Sequence, residues 1–397
     1  MKSGAKQELA HAMLTPELEQ IRDSVFKLCA KFDDDYWLEK DRHGGFPEDF
    51  YQAVGAGGWL GIAVPEAYGG AGLGITEAAI VLQAIAESGG AMQACSAVHL
   101  NIFGLNPVSK YATEEQKKLI LPPMVQAEAK ACFGITEPET GLDTTKLKTF
   151  ARRDGGHYVV NGTKVWISTA QVAQNIMLLA RTTPLDQVKS HTHGLSLFFT
   201  PLDRRYIEVR EIDKMGRRAI DSNMLFINDL KVPASHLIGE EGMGFKYLLA
   251  GINPERILVA AEAVGIGRAA LKKATRYAKE RIVFGRPIGQ NQGIQHALAR
   301  RWAELEAANL MMLRAAQLYD AGKDCGPEAN AAKLLASEAG FSACETAMQT
   351  HGGFGYAKEY HIERYFREAM LLKLVPVTAE MVLCNIAEKV LGLPRSY

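Results

Sequence analysis

The chain has 397 residues, 47% of them hydrophobic, enough for a large core and more than one domain. Its 45 basic and 45 acidic side chains cancel. With no basic block standing out, nucleic acid is excluded as the main partner, and copies of the chain repel one another little.

The N-terminal MKSGAKQELAHAM has no apolar h-region, so no signal peptide is expected. From there to about Lys130 the periodicity is helical. LEQIRDSVFKLCAKF sets Leu18, Ile21, Val25, Leu28 and Phe32 on one helical face. Thr113-Glu114-Glu115-Gln116 reads as a capping box, Thr113 capping and Gln116 reaching back. Glycines at YGGAGLG, Tyr68 to Gly74, separate helices.

Between about Ala131 and Gly239 the pattern shortens to strand-like runs: ACFGIT, HYVVNGTKVWIS, NIMLLART, LSLFFT and NMLFINDLKV. Asn161-Gly162, flanked by Val159-Val160 and Lys164-Val165, predicts a hairpin turn. Helical periodicity then returns. MGFKYLLAGINPERILVAAEAVGIGRAALKKATRYAKERI predicts one long helix or a kinked pair, followed by helical segments at 291–321, 327–350 and 358–391. The expected fold is α+β and multidomain: an N-terminal helical domain at 1–130, a small β-barrel or sandwich domain at 131–240, and a C-terminal antiparallel four-helix bundle at 241–397. No apolar run approaches the roughly 18 residues of a membrane helix. The six cysteines form no CxxC pair and sit in apolar segments, as buried reduced thiols do. A cytoplasmic protein without a membrane partner is expected.

Common catalytic motifs are missing. There is no GxGxxG after a strand, no P-loop, no HExxH and no nucleophile elbow. His191 and His193 lack an evident third ligand, so a solvated loop is the expectation there and no metal is expected.

Four segments remain: GITEPETGLD (Gly134 to Asp143), VWIS (Val165 to Ser168), RIVFGRPIGQNQ (Arg281 to Gln292) and QTHGGFGYAKEYHIERYFRE (Gln349 to Glu368). On these segments and the α–β–α order, the chain resembles the acyl-CoA dehydrogenase family over essentially its whole length. Gln349, Gly352-Gly353, Gly355-Tyr356, Glu359, Arg364 and Glu368 fall at the family's spacing. The first segment departs from the pattern: Thr140 replaces a small residue, and Leu142 stands where Ser or Thr is usual.

The resemblance implies FAD as cofactor and an acyl-CoA thioester as substrate. One base removes the α-proton while the β-hydrogen leaves as hydride to the flavin, and electrons pass to an electron-transferring flavoprotein. It also implies roles for particular residues. Thr136 and Ser168 would offer hydroxyls to the flavin ring, Trp166 would flank it, and Phe133, Ile135 and Leu142 would line the same side. Read alone, Thr136 and Ser168 are strand-end hydroxyls and Trp166 is a core aromatic. Arg281 would hold the pyrophosphate, its fork of donors suiting that group; alone it is a solvated helix-end cation. Phe284 and Gln292 would lie by the adenine, with Gln349, Gly352 and Gly353 at the adenosine end. These last groups come from a neighbouring subunit in the family, which implies a homotetramer built as a dimer of dimers. Thr378 and Glu380 would also touch FAD. Leu142, Phe245, Asn253, Arg256 and Val377 would face the acyl-CoA.

Many family members carry the base in a Tyr-Glu-Gly-Thr run near the C-terminus. Here that run reads LVPVT, so the Glu position falls on Pro376 and the Gly on Val377. A subset resembling isovaleryl-CoA and long-chain acyl-CoA dehydrogenases places its Glu before an Arg on another helix, and Asn253-Pro254-Glu255-Arg256 matches it. Glu255 is therefore the expected base. Read without the resemblance, Asn253 is an N-cap, Pro254 an N1 proline, and Glu255 complements the helix dipole. Proline also lacks the N–H that would hold the thioester carbonyl, a loss worth about 10²–10³ in rate. Either Val377 donates in its place or a flavin ribityl hydroxyl acts alone. The alternatives are an oxygen-using flavin oxidase of the same fold, acyl-CoA or nitroalkane oxidase-like, and a catalytically impaired flavin-containing binding protein. The base position suggests a branched or longer acyl chain.

Overall fold

The structure, a computed structural model, describes residues 14–396. The stretch read for a signal peptide, residues 1–13, lies outside the described residues. Seven α-helices open the described chain: α1 (Pro16–Cys29), α2 (Asp34–His43), α3 (Glu48–Ala56), α4 (Ile75–Ile85), α5 (Ala91–Phe103), α6 (Asn106–Tyr111) and α7 (Glu114–Val125). The capping box forms: Thr113 Oγ1 accepts from the Gln116 N–H at 3.2 Å, and Gln116 Oε1 accepts from the Thr113 N–H at 2.9 Å. Gln116 also donates to the carbonyls of Ser235 and Leu237, tying α7 to the strands. Helix α4 is buried at every residue but Glu77, as an apolar-all-round helix must be.

Eight strands follow: β1 (Ala131–Gly134), β2 (Phe150–Asp154), β3 (His157–Ser168), β4 (Asn175–Arg181), β5 (Leu195–Pro201), β6 (Ile207–Glu211), β7 (Ser222–Pro233) and β8 (Leu237–Ile238). They form one sheet in the order β6-β7-β3-β2-β4-β5-β8, with β1 parallel to β4. The periodicity read above misses β2, β6 and β8. It also misplaces the hairpin, because Asn161-Gly162 is not a turn. Strand β3 runs straight through it, paired with β2 on one side and β7 on the other, and the β2–β3 turn lies at Gly155-Gly156. The ladder to β7 shifts register between Val160 and Gly162. A Cβ on Gly162 would stand 2.3 Å from Thr149 Oγ1. Asn161 exchanges two hydrogen bonds with Asp229 across the irregularity. The Asn-Gly pair thus serves a bulge and not a turn.

The last third contains α8 (Gly244–Ala250), α9 (Ile252–Glu280), a short hairpin of β9 (Ile282–Val283) and β10 (Arg286–Pro287), α10 (Gln292–Asp320), α11 (Gly326–His351), α12 (Ile362–Leu374) and α13 (Ala379–Lys389). Small residues let α9 and α11 cross closely: a Cβ on Gly340 would stand 2.4 Å from the Ala263 carbonyl oxygen. The span Ile362–Lys389 is apolar enough to match a membrane helix by composition, contrary to the reading above. The helix stops at Leu374 and restarts at Ala379, so the span is two helices.

One core cluster joins α1–α5 to the C-terminal helices, and a second lies within the sheet. A third joins α6–α8 to the sheet, with Phe133 and Ile135 packed against it. Phe133 packs against the first cluster as well, so the end of β1 lies where two of these cores meet.

Candidate active site

The end of β1 is fixed by a buried ion pair. Lys164, a polar residue fully enclosed on β3, donates to Glu137 Oε1 at 2.9 Å and to the Ile135 carbonyl at 3.0 Å. The same carboxylate accepts from the N–H groups of Lys148 and Thr149. Burial lowers the Lys164 pKa to about 8, with the Glu137 charge acting against it. Both carboxylate oxygens have donors, as a buried ion pair requires. The result places Ile135 and Thr136 beside β3, where the Val165 N–H donates to the Thr136 carbonyl at 2.9 Å. Trp166 follows with a left-handed backbone, φ 62°, and its large ring is 58% exposed. The core-aromatic reading of Trp166 is therefore incorrect. Thr136, Trp166 and Ser168 share one strand-end region, and Leu142 stands 58% exposed in the loop beyond β1.

Arg217, on the loop between β6 and β7, connects this region to α5. Its guanidinium donates to Ser168 Oγ at 3.3 Å, Ser222 Oγ at 3.3 Å and Ser96 Oγ at 3.1 Å. The signature residues on α12 hold the start of α5. Glu368, fully buried, accepts from the N–H groups of Met92 and Gln93 at 2.8 and 3.2 Å. A carboxylate on these otherwise unpaired donors caps the helix and complements its dipole. Arg364 donates to the carbonyls of Gly89 and Gly90 in the preceding turn. Burial raises the Glu368 pKa to about 7, with Arg364 opposing.

Glu255 lies in the first turn of α9, but not as an N2 acid behind an Asn cap. Helix α8 leads into α9 through Gly251, which is itself in the helical region and caps with no side chain. The Glu255 N–H is already satisfied by the Gly251 carbonyl at 3.1 Å. Asn253 instead accepts weakly from Arg256 at 3.5 Å. Without a free helix end the dipole argument loses its force. Glu255 retains some surface exposure, yet its carboxyl lies among protein groups, and burial pushes its pKa up to about 7 while His99 and Arg256 pull against it. A carboxyl in that range is poised to exchange a proton near neutrality.

The LVPVT segment runs between α12 and α13. Thr378 is the N-cap of α13, accepting from the Met381 N–H, and Glu380 is exposed in the first turn. Lys333 of α11, fully buried, donates to the Val377 carbonyl at 2.8 Å. Burial lowers its pKa to about 8, and neighbouring Arg256 adds to that. Among the described residues the Val377 N–H meets no protein acceptor. Phe245 of α8, Asn253, Arg256 and Val377 are all half-buried.

A second group is separate and outward-facing. The β9–β10 hairpin carries Arg281 and Phe284, the latter fully exposed with φ 51°, and Gln292 opens α10 on the surface. Arg281 stacks over Phe354 at 5.6 Å, which links the hairpin to the end of α11, bearing Gln349, and to the exposed Gly352 and Gly353 that follow it. A Cβ on either of these glycines would meet nothing within 4 Å.

His99, Glu262, Arg217 and Lys333 take part in the site and were missed in the sequence. Their signal was faint: His99, Glu262 and Lys333 are polar residues within largely small or apolar stretches, such as ACSAVHLNIF around His99, and Arg217 is one of two adjacent arginines in a charged loop.

Models of the N-terminal, middle and C-terminal domains of acyl-CoA dehydrogenases match residues 15–128, 132–230 and 242–391. Acyl-CoA dehydrogenase FadE12 of Mycobacterium tuberculosis is 37% identical, over 96% of this chain and 97% of that protein. Short-chain specific acyl-CoA dehydrogenase of Bos taurus mitochondria is 34% identical, over 90% and 85%. Among solved structures, glutaryl-coenzyme A dehydrogenase with glutaryl-CoA superposes with a TM-score of 0.90 at 31% identity, over 96% of this chain and 97% of that one.

Proposed function

The chain belongs to the acyl-CoA dehydrogenase family, and on that premise we propose that it converts an acyl-CoA to the 2-enoyl-CoA with Glu255 as the base. Like its relatives it is an FAD flavoprotein, an oxidoreductase acting on a CH–CH bond. The residues fit that cofactor. Trp166 presents a bare ring next to the Thr136 and Ser168 positions, and Gly352-Gly353 leave the backbone open to close approach. FAD, when bound, supplies the hydride acceptor.

The observation that carries the base assignment is a half-buried carboxyl with its pKa near 7, on the helix next to α5. Ionised Glu255 takes the α-proton onto a carboxylate oxygen. Arg256, one residue on, positions the CoA. The Val377 N–H, without a protein acceptor, holds the thioester oxygen that a Pro376 N–H cannot. Lys333 anchors the Val377 carbonyl, in the next peptide unit, and so restrains the residue that carries that N–H. Thr136 and Ser168 orient the flavin ring. Arg281, Phe284 and Gln292, with Gln349, Gly352 and Gly353, complete the FAD site of a neighbouring copy in a tetramer, and an electron-transferring flavoprotein takes the electrons.

Glu255→Gln tests the assignment. Butyryl-, isovaleryl- and octanoyl-CoA are mixed anaerobically with the holoenzyme and flavin bleaching is followed. The variant is expected to retain FAD and to lose about three orders of magnitude or more in bleaching rate. Normal bleaching by the variant would reject Glu255 as the base. Rapid turnover of the wild type in air, without an electron-transferring flavoprotein, would instead identify an oxidase.

A further inference from the structure

Helix α5 touches α9 at two points that bracket Glu255. Towards the start of α9, the Phe103 ring lies against Gly251, where an added Cβ would stand 3.3 Å from it. Further along, His99 Nδ1 pairs with Glu262 Oε1 at 2.8 Å, with side-chain exposures of only 12% and 2%. Glu262 is seven residues after Glu255, two turns along the same face of α9. His99 and Phe103 are likewise one turn apart on α5, their rings 5.6 Å from each other. An ionisable pair is therefore built into the wall beside the base, and the reaction as derived above does not use it.

We infer that His99 and Glu262 form a positioning pair for Glu255: Glu262 holds His99 as an imidazolium, and that charge offsets the Glu262 carboxylate beside the base, so that Glu255 can ionise near neutral pH. The inference rests on the reading of Glu255 as base.

The surrounding charges agree in sign. Burial disfavours the charged His99 ring, but the Glu262 carboxylate outweighs it and the His99 pKa rises above its usual value, with Glu255 adding to the rise. Around Glu255 stand His99 from α5, and Arg256 and Glu262 from its own helix. Arg217, from the loop between β6 and β7, opposes the charge on His99 and feels Glu262, Glu368 of α12 and Asp221. With both members charged, the pair is neutral as a unit. Removing His99 alone leaves the Glu262 charge, which raises the Glu255 pKa, without its counter-charge.

The test is a charge rescue read as a pH profile. The anaerobic flavin-bleaching rate is measured against pH for the wild type, H99Q, E262Q and H99Q/E262Q, using whichever of the three acyl-CoAs above bleaches fastest. H99Q is expected to move the acidic limb upward by roughly one pH unit. The double variant, neutral at both positions, returns the limb to near its wild-type position, which lost packing alone would not do. Independently of substrate, the His99 ring is titrated by NMR in the holoenzyme, and its midpoint is expected to fall in E262Q. An unmoved limb in H99Q, a double variant that stays shifted, or an unchanged His99 midpoint in E262Q overturns the inference. Glu255→Gln separates the two readings: if it bleaches normally, the base assignment fails and the pair has nothing to position. If it is inactive while the limb does not move, the pairing alone fails.

Discussion

A carboxyl raised to a pKa of about 7 acts in opposite senses on rate and stability. Glu255 must be ionised to accept a proton, so the bleaching rate should rise with pH through about 7 and then level off. Stability runs the other way. The folded-state pKa of Glu255 lies above the ordinary glutamate value of 4.5, so the folded protein retains a proton that the unfolded chain has released. That contribution is complete below about pH 4.5 and disappears as the pH passes 7. Glu368, also raised to about 7, adds in the same direction. Glu255→Gln should therefore reduce, without abolishing, the drop in melting temperature between pH 5 and pH 8, as read by scanning calorimetry. At this scale Glu255 could be named as the candidate base because, by the family resemblance, Pro376 stands at the usual position and an Arg follows a second Glu. His99, Glu262, Arg217 and Lys333 were not, since, apart from Ser222 beside Arg217, the partners described for them lie 44 to 163 residues away, beyond the reach of any local pattern.

Among the secondary-structure elements, strand β3 shows how a local rule yields to its neighbours. Asn-Gly favours a turn only where the chain is free to reverse. Here β2 and β7 hold both edges of β3, so the dipeptide becomes an irregularity in a continuous strand. Gly162→Ala would push a methyl group into Thr149, and a loss of about 1–3 kcal/mol is expected in urea unfolding. Reducing the obstruction with Thr149→Gly in the same chain should recover part of that loss. A turn at this position would predict instead that the two substitutions are independent. Helix α5 makes the complementary point. Its start is held by Glu368 and Arg364, more than 270 residues downstream, so signature residues that look like part of a cofactor motif here secure the helix bearing Ser96 and His99. Thr113 and Gln116, three residues apart, were by contrast fully readable, because their bonds close within one turn.

The single chain, considered as a whole, carries two groups of candidate site residues that stand apart. One lies around Glu255, Trp166 and Ser168. The other, the Arg281–Phe284 hairpin, lies outside with Phe284 fully exposed. A large exposed aromatic beside a guanidinium suits a group brought by another copy. Arg281→Ala should therefore lower flavin retention by about tenfold or more, measured as flavin per chain after gel filtration. Phe284→Asp should both release flavin and shift the sedimentation of the holoenzyme to smaller species. If Phe284→Asp left assembly and flavin content intact, the hairpin would not be an intersubunit element. The order α–β–α could be taken from the sequence alone because it depends on periodicity, and the cofactor class and the candidate base came from a resemblance carried by short segments. The surroundings of the base could not. Whether burial or a helix dipole governs Glu255 depends on α8 running into α9 and on α5 lying across them, and those contacts exist only once distant segments pack together.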